Sequence, residues 1–159
     1  MVIGCPGGGK STFSRKLHEI TGLPLYHLDM MYWNADRTTV DKAVFLQRLT
    51  EAICTDEWII DGNYRSTIEL RLSACDTVFF LDYPVEVCLE GVASRKGKPR
   101  SDMPWVENGE DETFLQFIKS FNADCKPEVV GLLKKYMEKT IHVFHSRDEA
   151  EAFLNRLSK

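Results

Sequence analysis

The sequence predicts an α/β fold, a three-layer α/β/α sandwich around a five-stranded parallel sheet. Three observations support this prediction. The apolar runs are short and continuous, as in residues 77–81 (TVFFL), they alternate with amphipathic helices, and a glycine-rich loop joins the first run to the first helix. Strands that are apolar on both faces need helices on both sides of the sheet, joined by right-handed crossovers. The length of 159 residues suits one core, so we predict a single domain over residues 1–159.

Five apolar runs predict the strands. They are residues 1–4, 23–28, 58–60, 77–81 and 141–144. Each run lacks the polar alternation of a half-exposed strand, which is typical of a parallel sheet covered on both faces. Ligands collect at the carboxyl ends of such strands, so the residues that follow the runs are candidates for a functional site.

The segments between the strands predict helices. Residues 40–54 are amphipathic, because their valine, leucine and isoleucine residues lie on one helical side, and Pro84 suits a first helical turn. Residues 108–112 are polar and acidic, which predicts a loop. The predicted helices are residues 12–20, 40–54, 67–72, a helix that begins at Pro84, 114–121, 128–136 and 148–157.

Residues 4–11 (GCPGGGKS) match the complete phosphate-binding pattern GxxxxGK[ST]. Glycines let successive backbone N–H groups point at phosphate oxygens, Lys10 adds a positive charge for the outer phosphates, and the Ser11 hydroxyl can ligate Mg²⁺. The amphipathic helix that follows sets its N-terminal dipole under the phosphates. We therefore predict a nucleoside triphosphate site. Its residues are Gly4, Pro6, Gly7, Gly8, Gly9, Lys10, Ser11 and Thr12.

Three aspartates follow apolar runs. Asp61 has the position of a carboxylate that assists Mg²⁺, although a turn or capping aspartate also fits this pattern. Asp29 has two candidate roles, one in the outer shell of Mg²⁺ and one as general base and anchor for a substrate hydroxyl. For Asp82, which precedes Pro84, we favour local capping of the next helix.

Composition narrows the classes of protein. The formal net charge of −4 disfavours nucleic-acid binding, and no apolar run approaches the length of a membrane span. No signal peptide is visible, and five scattered cysteines without a CxxC pair favour a reducing cytoplasm. The basic run at residues 95–100 is either a solvated turn or a source of phosphate contacts.

The string DGNYR at residues 61–65 resembles the DGxxR motif of adenylate kinase and related nucleoside monophosphate kinases. Longer strings resemble one adenylate-kinase-like branch, the DNA topology modulation (FlaR-related) proteins. They are residues 23–33 (LPLYHLDMMYW), 58–72 (WIIDGNYRSTIELRL), 76–84 and 145–147 (HSR). The resemblance covers essentially the whole chain and implies ATP and Mg²⁺ as cofactors. It implies that Asp61 assists Mg²⁺ and that Arg65 grips the phosphate of an acceptor.

The resemblance also implies a mobile basic lid around residues 95–112. Arg95 stands at the position of the first lid arginine, and Arg100 begins a string, RSDM, that matches the family's R-x-D-M. These arginines would stabilise the charge that develops during phosphoryl transfer. Arg147 lies in the loop that, by resemblance, contacts the adenine of ATP through backbone groups.

The chain departs from adenylate kinases on the acceptor side. Tyr32 replaces an arginine that would hold a nucleoside monophosphate, with Arg37 as a possible substitute, and Glu69 replaces a base-reading glutamine. Tyr32 and Trp33 either stack on a flat substrate or close a hydrophobic gap.

We therefore predict a monomeric, cytoplasmic ATP-dependent kinase in which Lys10, Arg95, Arg100 and Asp29 are catalytic. Its small-molecule acceptor is either a nucleotide or a hydroxyl-bearing metabolite of the kind used by shikimate or gluconate kinases. The substrate-binding candidates are Asp29, Tyr32, Trp33, Arg65 and Glu69. The alternative is an ATP-binding regulator without a dedicated small-molecule acceptor.

Overall fold

The computed structural model describes residues 1–109 and 111–158. Residue 110, which belongs to the predicted lid and loop, and residue 159 lie outside the described residues. Five strands alternate with eight helices and one short 3₁₀ turn in this part of the chain. In chain order they are β1 (Val2–Gly4), α1 (Lys10–Thr21), β2 (Leu25–His27), α2 (Leu28–Tyr32), α3 (Lys42–Ile53), β3 (Ile59–Asp61), the 3₁₀ turn (Arg65–Thr67), α4 (Ile68–Ala74), β4 (Thr77–Leu81), α5 (Val85–Arg95), α6 (Glu112–Asp124), α7 (Lys126–Lys135), β5 (Thr140–Phe144) and α8 (Arg147–Leu157).

The five strands form one parallel sheet in the order β2-β3-β1-β4-β5. The central strand β1 pairs with β3 and β4, and Gly4 lies opposite Leu81. The carboxyl ends of β1, β2 and β3 therefore lie side by side at one edge of the sheet. The prediction of a five-stranded parallel α/β fold is confirmed.

Alternate residues of the strands enter different cores, as expected for a sheet covered on both faces. Phe79 and Leu81 pack in a cluster with Phe13 of α1, whereas Val78 and Phe80 pack in a second cluster on the other side. The second cluster contains residues of α4 and α7. A third cluster joins α2 and α3 to β3.

Two predictions near the second strand and the fourth strand are wrong. The run at residues 23–28 ends as a strand at His27, because Leu28 begins the short helix α2 and is buried in the third cluster. Asp29 therefore lies in the first turn of a helix and does not directly follow a strand. Asp82 does not cap α5, since its carboxylate pairs with Lys126 at 2.8 Å and lies 3.5 Å from His145.

No helix in the described part of the chain has the length and apolar character needed to span a bilayer. All five cysteines carry free thiols. The monomeric state and the cytoplasmic location stay predictions.

Candidate active site

The phosphate loop leaves β1 at Gly4 and turns sharply into α1. The turn is closed by the Gly8 N–H, which donates to the Cys5 carbonyl at 3.1 Å. Gly7 and Gly9 have φ values of 81° and 85°, and a Cβ at Gly7 would lie 2.0 Å from the Cys88 carbonyl oxygen. Such positive φ values strain any residue with a side chain. The loop thus depends on glycine for its course, and α1 begins without a side-chain cap on its first N–H groups.

Lys10 lies inside this loop. Its Nζ donates to the carbonyl oxygens of Gly4 at 3.0 Å and Cys5 at 3.2 Å. Burial lowers the pKa of Lys10, and the negative charges of Asp61 and Asp29 oppose that shift. The ammonium group therefore stays between the loop and two carboxylates, which is the position from which it can reach a phosphate oxygen.

Asp61 ends β3 next to the phosphate loop and is 4% exposed. The His27 Nδ1 lies 3.0 Å from Asp61 Oδ1, whereas Oδ2 is buried and has no hydrogen-bond partner among the described residues. Burial lowers the pKa of His27, but the hydrogen bond and the charge of Asp61 outweigh it and the pKa is raised. Asp61 thus has one held oxygen and one that remains available to a ligand.

The carboxylate of Asp29 is oriented by two aromatic side chains. The Tyr64 hydroxyl donates to Asp29 Oδ1 at 2.7 Å, and the Trp33 side chain in turn hydrogen-bonds to Tyr64. Burial raises the pKa of Asp29, while the Tyr64 hydrogen bond and the charge of Lys10 act in the opposite direction. The Tyr64 backbone has a φ of 33°, so the turn after Gly62 aims this ring at α2.

The predicted lid lies over the phosphate loop. Arg95 donates from Nε and Nη2 to Glu107 at 2.8 and 3.1 Å, and Arg100 lies 3.4 Å from Asp102 and 3.5 Å from Glu107. Burial would raise the pKa of Asp102, but Arg100 and a hydrogen bond from Ser11 outweigh it and the pKa is lowered.

Asp102 connects the predicted lid to α1. It is 4% exposed, and its Oδ1 lies 3.4 Å from Arg15 Nη1 in addition to the hydrogen bond from Ser11. Burial lowers the pKa of Arg95, and the neighbouring Arg100 lowers it further. The two lid arginines therefore lie close together and share the acid Glu107, while Arg100 also pairs with Asp102.

The lid also meets the segment that follows α2. The Arg37 Nη2 donates to the Val106 carbonyl at 3.1 Å, and its guanidinium lies 5.1 Å from the centre of the Trp105 ring. The rings of Trp33 and Trp105 meet edge to face at 5.8 Å. These contacts narrow the mouth of the cleft.

The phosphate loop, the predicted lid, Asp29 and Asp61 all line one cleft of about 1740 Å³. Most of the predicted site residues line it. They are Pro6, Gly7, Gly8, Gly9, Lys10, Ser11, Thr12, Asp29, Trp33, Asp61, Arg65, Arg95, Arg100 and Arg147. Arg147 donates to the Val87 carbonyl at 3.1 Å, and Gly4 lies below the loop with its N–H bonded to the Asn63 side chain at 3.0 Å.

Three residues that were predicted to bind the acceptor instead contact other side chains of the protein. The exposed Arg65 forms an ion pair with Glu128 at the rim. Glu69 pairs with Lys135 on the surface and does not line the cleft, because its position on α4 points away from it. Tyr32 packs edge to face against Phe45 and Tyr64, which supports its interpretation as a hydrophobic filler.

Asn63 and Arg71 contribute to the site and were not predicted from the sequence. Arg71 of α4 is fully buried and donates to the carbonyl oxygens of Gly62 at 2.8 Å, Asn63, and Thr67 at 3.3 Å. It therefore holds the loop that carries Asn63 and Tyr64. Asn63 lies in the string DGNYR, which could have drawn attention to it. Arg71 stands between two leucines of a helix, and the sequence alone does not distinguish a buried arginine there from an exposed one.

Within residues 1–109 and 111–158, no three acidic, histidine or cysteine side chains lie close enough together to form a metal site of their own. Mg²⁺ in phosphoryl-transfer sites takes one or two protein ligands together with phosphate oxygens and water. The free Oδ2 of Asp61 and the Ser11 hydroxyl are oxygen donors that suit such a hard cation.

The sequence matches no family model and no curated protein. Two solved structures that it resembles are kinases. A shikimate kinase from Bacteroides thetaiotaomicron is 20% identical with a TM-score of 0.55, over 98% of this chain and 93% of that one. A deoxyadenosine kinase from M. mycoides, solved with bound dATP, is 16% identical with a TM-score of 0.48, over 99% of this chain and 97% of that one. The resemblance to DNA topology modulation proteins stays a prediction. The chain shares its α/β fold with the shikimate kinase.

Proposed function

We propose that this protein is an ATP-dependent phosphotransferase that moves the γ-phosphoryl group of ATP to a small acceptor, with Mg²⁺ as metal ion. The observation that carries the proposal is the composition of one cleft. It is lined by a glycine-dependent phosphate loop with Lys10, by the lid arginines Arg95 and Arg100, and by the carboxylate of Asp29. Phosphoryl transfer depends mainly on positioning and on charge stabilisation, and this set of groups supplies both.

The donor would bind at the phosphate loop. The uncapped N–H groups at the start of α1 and the ammonium of Lys10 are suited to the β- and γ-phosphates. Ser11 and Asp61 would hold Mg²⁺, which neutralises phosphate charge when bound. The fit is supported by Asp61 Oδ2, a buried oxygen without a hydrogen-bond partner among the described residues.

The lid would close the cleft around the transferred group. Arg95 and Arg100 share Glu107, and Arg100 also pairs with Asp102, so each guanidinium already lies beside the cleft in a paired state. Phosphate oxygens can replace a carboxylate as the partner of an arginine, because both accept bidentate hydrogen bonds. Asp29, which lines the same cleft, would orient the acceptor and take its proton.

The test is calorimetry of Mg-ATP binding followed by transfer from radiolabelled ATP to a set of small acceptors. Lys10→Ala is expected to abolish measurable binding, since the charge inside the loop is lost. The control is Lys134→Ala, which removes an exposed lysine of α7 that does not line the cleft. Undiminished affinity of Lys10→Ala would overturn the assignment of the loop.

The same experiment separates the kinase from the ATP-binding regulator. Binding of Mg-ATP without transfer to any acceptor would favour the regulator. A DNA-binding regulator would also show salt-dependent duplex binding, which the net charge of −4 disfavours.

A further inference from the structure

We propose that the acceptor is a ring-bearing alcohol without a phosphate group, bound on the acceptor face of the cleft. The acceptor face consists of Asp29, Trp33, Arg37, Tyr64 and Trp105, all of which line the cleft. The proposal rests on the kinase function above and narrows it. Nucleosides and sugars share the required chemistry, and the experiment below distinguishes them.

The cleft cations that are least exposed lie on the donor side, where the Arg95 and Arg100 side chains are 21% and 16% exposed, against 52% for Arg65. Lys10 lies inside the phosphate loop, and Arg95 and Arg100 lie in the lid beside it. The arginine expected on the acceptor helix is absent, because position 32 is a tyrosine that packs among aromatic rings. A phosphate monoester carries a charge of about −1.5 to −2 at pH 7, which nearby cations must balance when it binds.

The two cations near the acceptor face are already engaged. Arg37 donates to the Val106 carbonyl and lies over the Trp105 ring. The Arg65 guanidinium donates from Nε to Glu128 at 2.7 Å and also from Nη2 to the same carboxylate oxygen. Glu128 therefore neutralises the arginine to which the resemblance assigns an acceptor phosphate.

The carboxylate of Asp29 suits an alcohol better than a phosphate. It is connected to Tyr64 and through it to Trp33, so its orientation is fixed by a continuous set of hydrogen bonds. An alcohol must lose a proton when it attacks phosphorus, and a positioned carboxylate can accept that proton. A phosphate monoester is mostly deprotonated at neutral pH and gains only repulsion from a neighbouring carboxylate.

The two indole rings of the acceptor face favour an acceptor molecule that contains a ring. Trp33 and Trp105 are both half-buried and meet at the mouth of the cleft. The Trp105 Nε1 is buried and has no hydrogen-bond partner among the described residues. A flat base or the apolar face of a sugar ring can pack on indole, and the free N–H can donate to a ring substituent.

The transfer step balances without any further reactant. The acceptor oxygen forms a bond to the γ-phosphorus, and the bond between that phosphorus and the β–γ bridging oxygen breaks. The hydroxyl proton passes to Asp29 and then to water. The products are a phosphate monoester of the alcohol and ADP.

The experiment compares matched acceptors in the transfer assay with radiolabelled ATP and the full chain. The pairs are adenosine with AMP, thymidine with TMP, and glucose with glucose 6-phosphate. For at least one pair we expect kcat/KM of the phosphate-free member to exceed that of its partner by about 100-fold or more, which is the order of discrimination that unmatched polar groups produce. A nucleoside or a sugar as the preferred member identifies the source.

Preference for a phosphate-bearing member would overturn this proposal and leave the kinase function intact. Transfer to none of the acceptors, while Mg-ATP binds, would count against both the kinase and its acceptor class. The two failures are therefore distinguishable.

A charge variant gives a second, independent measure. Glu128→Gln releases Arg65, so we expect it to raise kcat/KM for the phosphate-bearing member about fivefold, the upper range for an exposed ion pair, and to leave the phosphate-free member within about twofold. The matched control is Glu51→Gln, an exposed carboxylate of α3 that is bonded by Gln47 outside the cleft. Equal effects of Glu128→Gln on both members would contradict the proposal.

Discussion

His27 and Asp61 face each other across the neighbouring ends of β2 and β3, with the His27 Nδ1 3.0 Å from Asp61 Oδ1. This hydrogen bond orients the carboxylate and leaves the buried Oδ2 as the oxygen that points away from His27. The ring is itself largely buried, with a side-chain exposure of 12%, so it has little freedom to move away. His27 is thus placed as a positioning residue for Asp61.

Replacement of His27 by alanine is expected to weaken Mg²⁺ binding about 10-fold, because outer-shell partners that orient a carboxylate typically contribute 10- to 100-fold to metal affinity. The measurement is Mn²⁺ binding by electron paramagnetic resonance in the presence of ATP. His18→Ala is the control, since His18 bonds only a backbone carbonyl at the exposed end of α1. Unchanged Mn²⁺ affinity in His27→Ala would refute the positioning role.

Gly7→Ala should disrupt the phosphate loop. The new Cβ would lie 2.0 Å from the Cys88 carbonyl oxygen in a backbone with φ of 81°. We expect a loss of roughly 1–3 kcal/mol in the free energy of unfolding, together with loss of Mg-ATP binding. Urea denaturation and calorimetry measure the two effects.

Gly131→Ala is the matched control for this substitution. Gly131 lies in α7, and a Cβ there meets nothing within 4 Å. The change should stabilise the helix by about 0.5–1 kcal/mol, as alanine does relative to glycine in a helix interior. Similar stability changes in both variants would show that the contact with Cys88 does not constrain Gly7.

Arg71→Met tests whether the buried arginine holds the loop after β3. The substitution removes hydrogen bonds to the carbonyl oxygens of Gly62, Asn63 and Thr67. Removing a buried charge is favourable in itself, but buried carbonyls left without partners cost about 1–3 kcal/mol each, so we expect a net destabilisation of about 2–4 kcal/mol.

Urea denaturation measures this destabilisation, and a separate assay follows the reaction. Because Asn63 and Tyr64 lie in the held loop, kcat should fall more than Mg-ATP affinity in the folded variant. A free energy of unfolding within 0.5 kcal/mol of the parent, which is the range of neutral surface substitutions, would contradict this role.

The proposed role of Asp29 as general base predicts a recognisable pH dependence of the reaction. Burial raises its pKa above the usual value of an aspartate, and only the deprotonated carboxylate can accept a proton. Activity should therefore fall as the pH decreases through this raised pKa, at a higher pH than an exposed aspartate would cause. Asp29→Asn should lose this acidic limb and lower kcat by about 10²–10⁴, the range of general-base catalysis.

The same pKa shift predicts an effect on stability with a defined sign. Because the pKa of Asp29 is raised on folding, the folded state binds the proton more tightly, and stability decreases as the pH rises from the unfolded value of 3.8 through the folded pKa. Asp29→Asn should therefore be more stable than the parent at pH 7 and lose this advantage below pH 3.8. Thermal unfolding at both pH values checks this, and an equal difference at both would refute it.

Arg95→Ala tests the lid. Arg95 pairs with Glu107 beside the phosphate loop, and its charge would be needed most when charge spreads over the transferred group. We expect kcat to fall on the order of 10³ or more, with a smaller change in Mg-ATP affinity. Lys98→Ala is a suitable comparison, since Lys98 donates to the Ser94 carbonyl and does not line the cleft. A loss in affinity as large as the loss in kcat would mean that Arg95 serves ground-state binding.

Local patterns in the chain were sufficient for the fold, and they predict the donor half of the candidate site. The strand at residues 77–81 was predicted with its observed bounds, because a short apolar run rich in aromatic and β-branched residues is typical of a buried strand. The phosphate loop could be identified for a similar reason, since its glycines and Lys10 act through a conformation that spans a few neighbouring residues. Both the strand and the loop depend on interactions between residues that are close together along the chain.

The partners of the key side chains were decided by the tertiary structure alone. His27 and Asp61 are brought together by the pairing of β2 with β3, and Asn63 meets Gly4 because β3 lies beside β1. Arg65 lies in a string that resembles a kinase motif, yet its charge is matched by Glu128 of α7, far along the chain. Whether a side chain is free for a ligand depends on which distant residue folds against it, and no local pattern of residues encodes that contact.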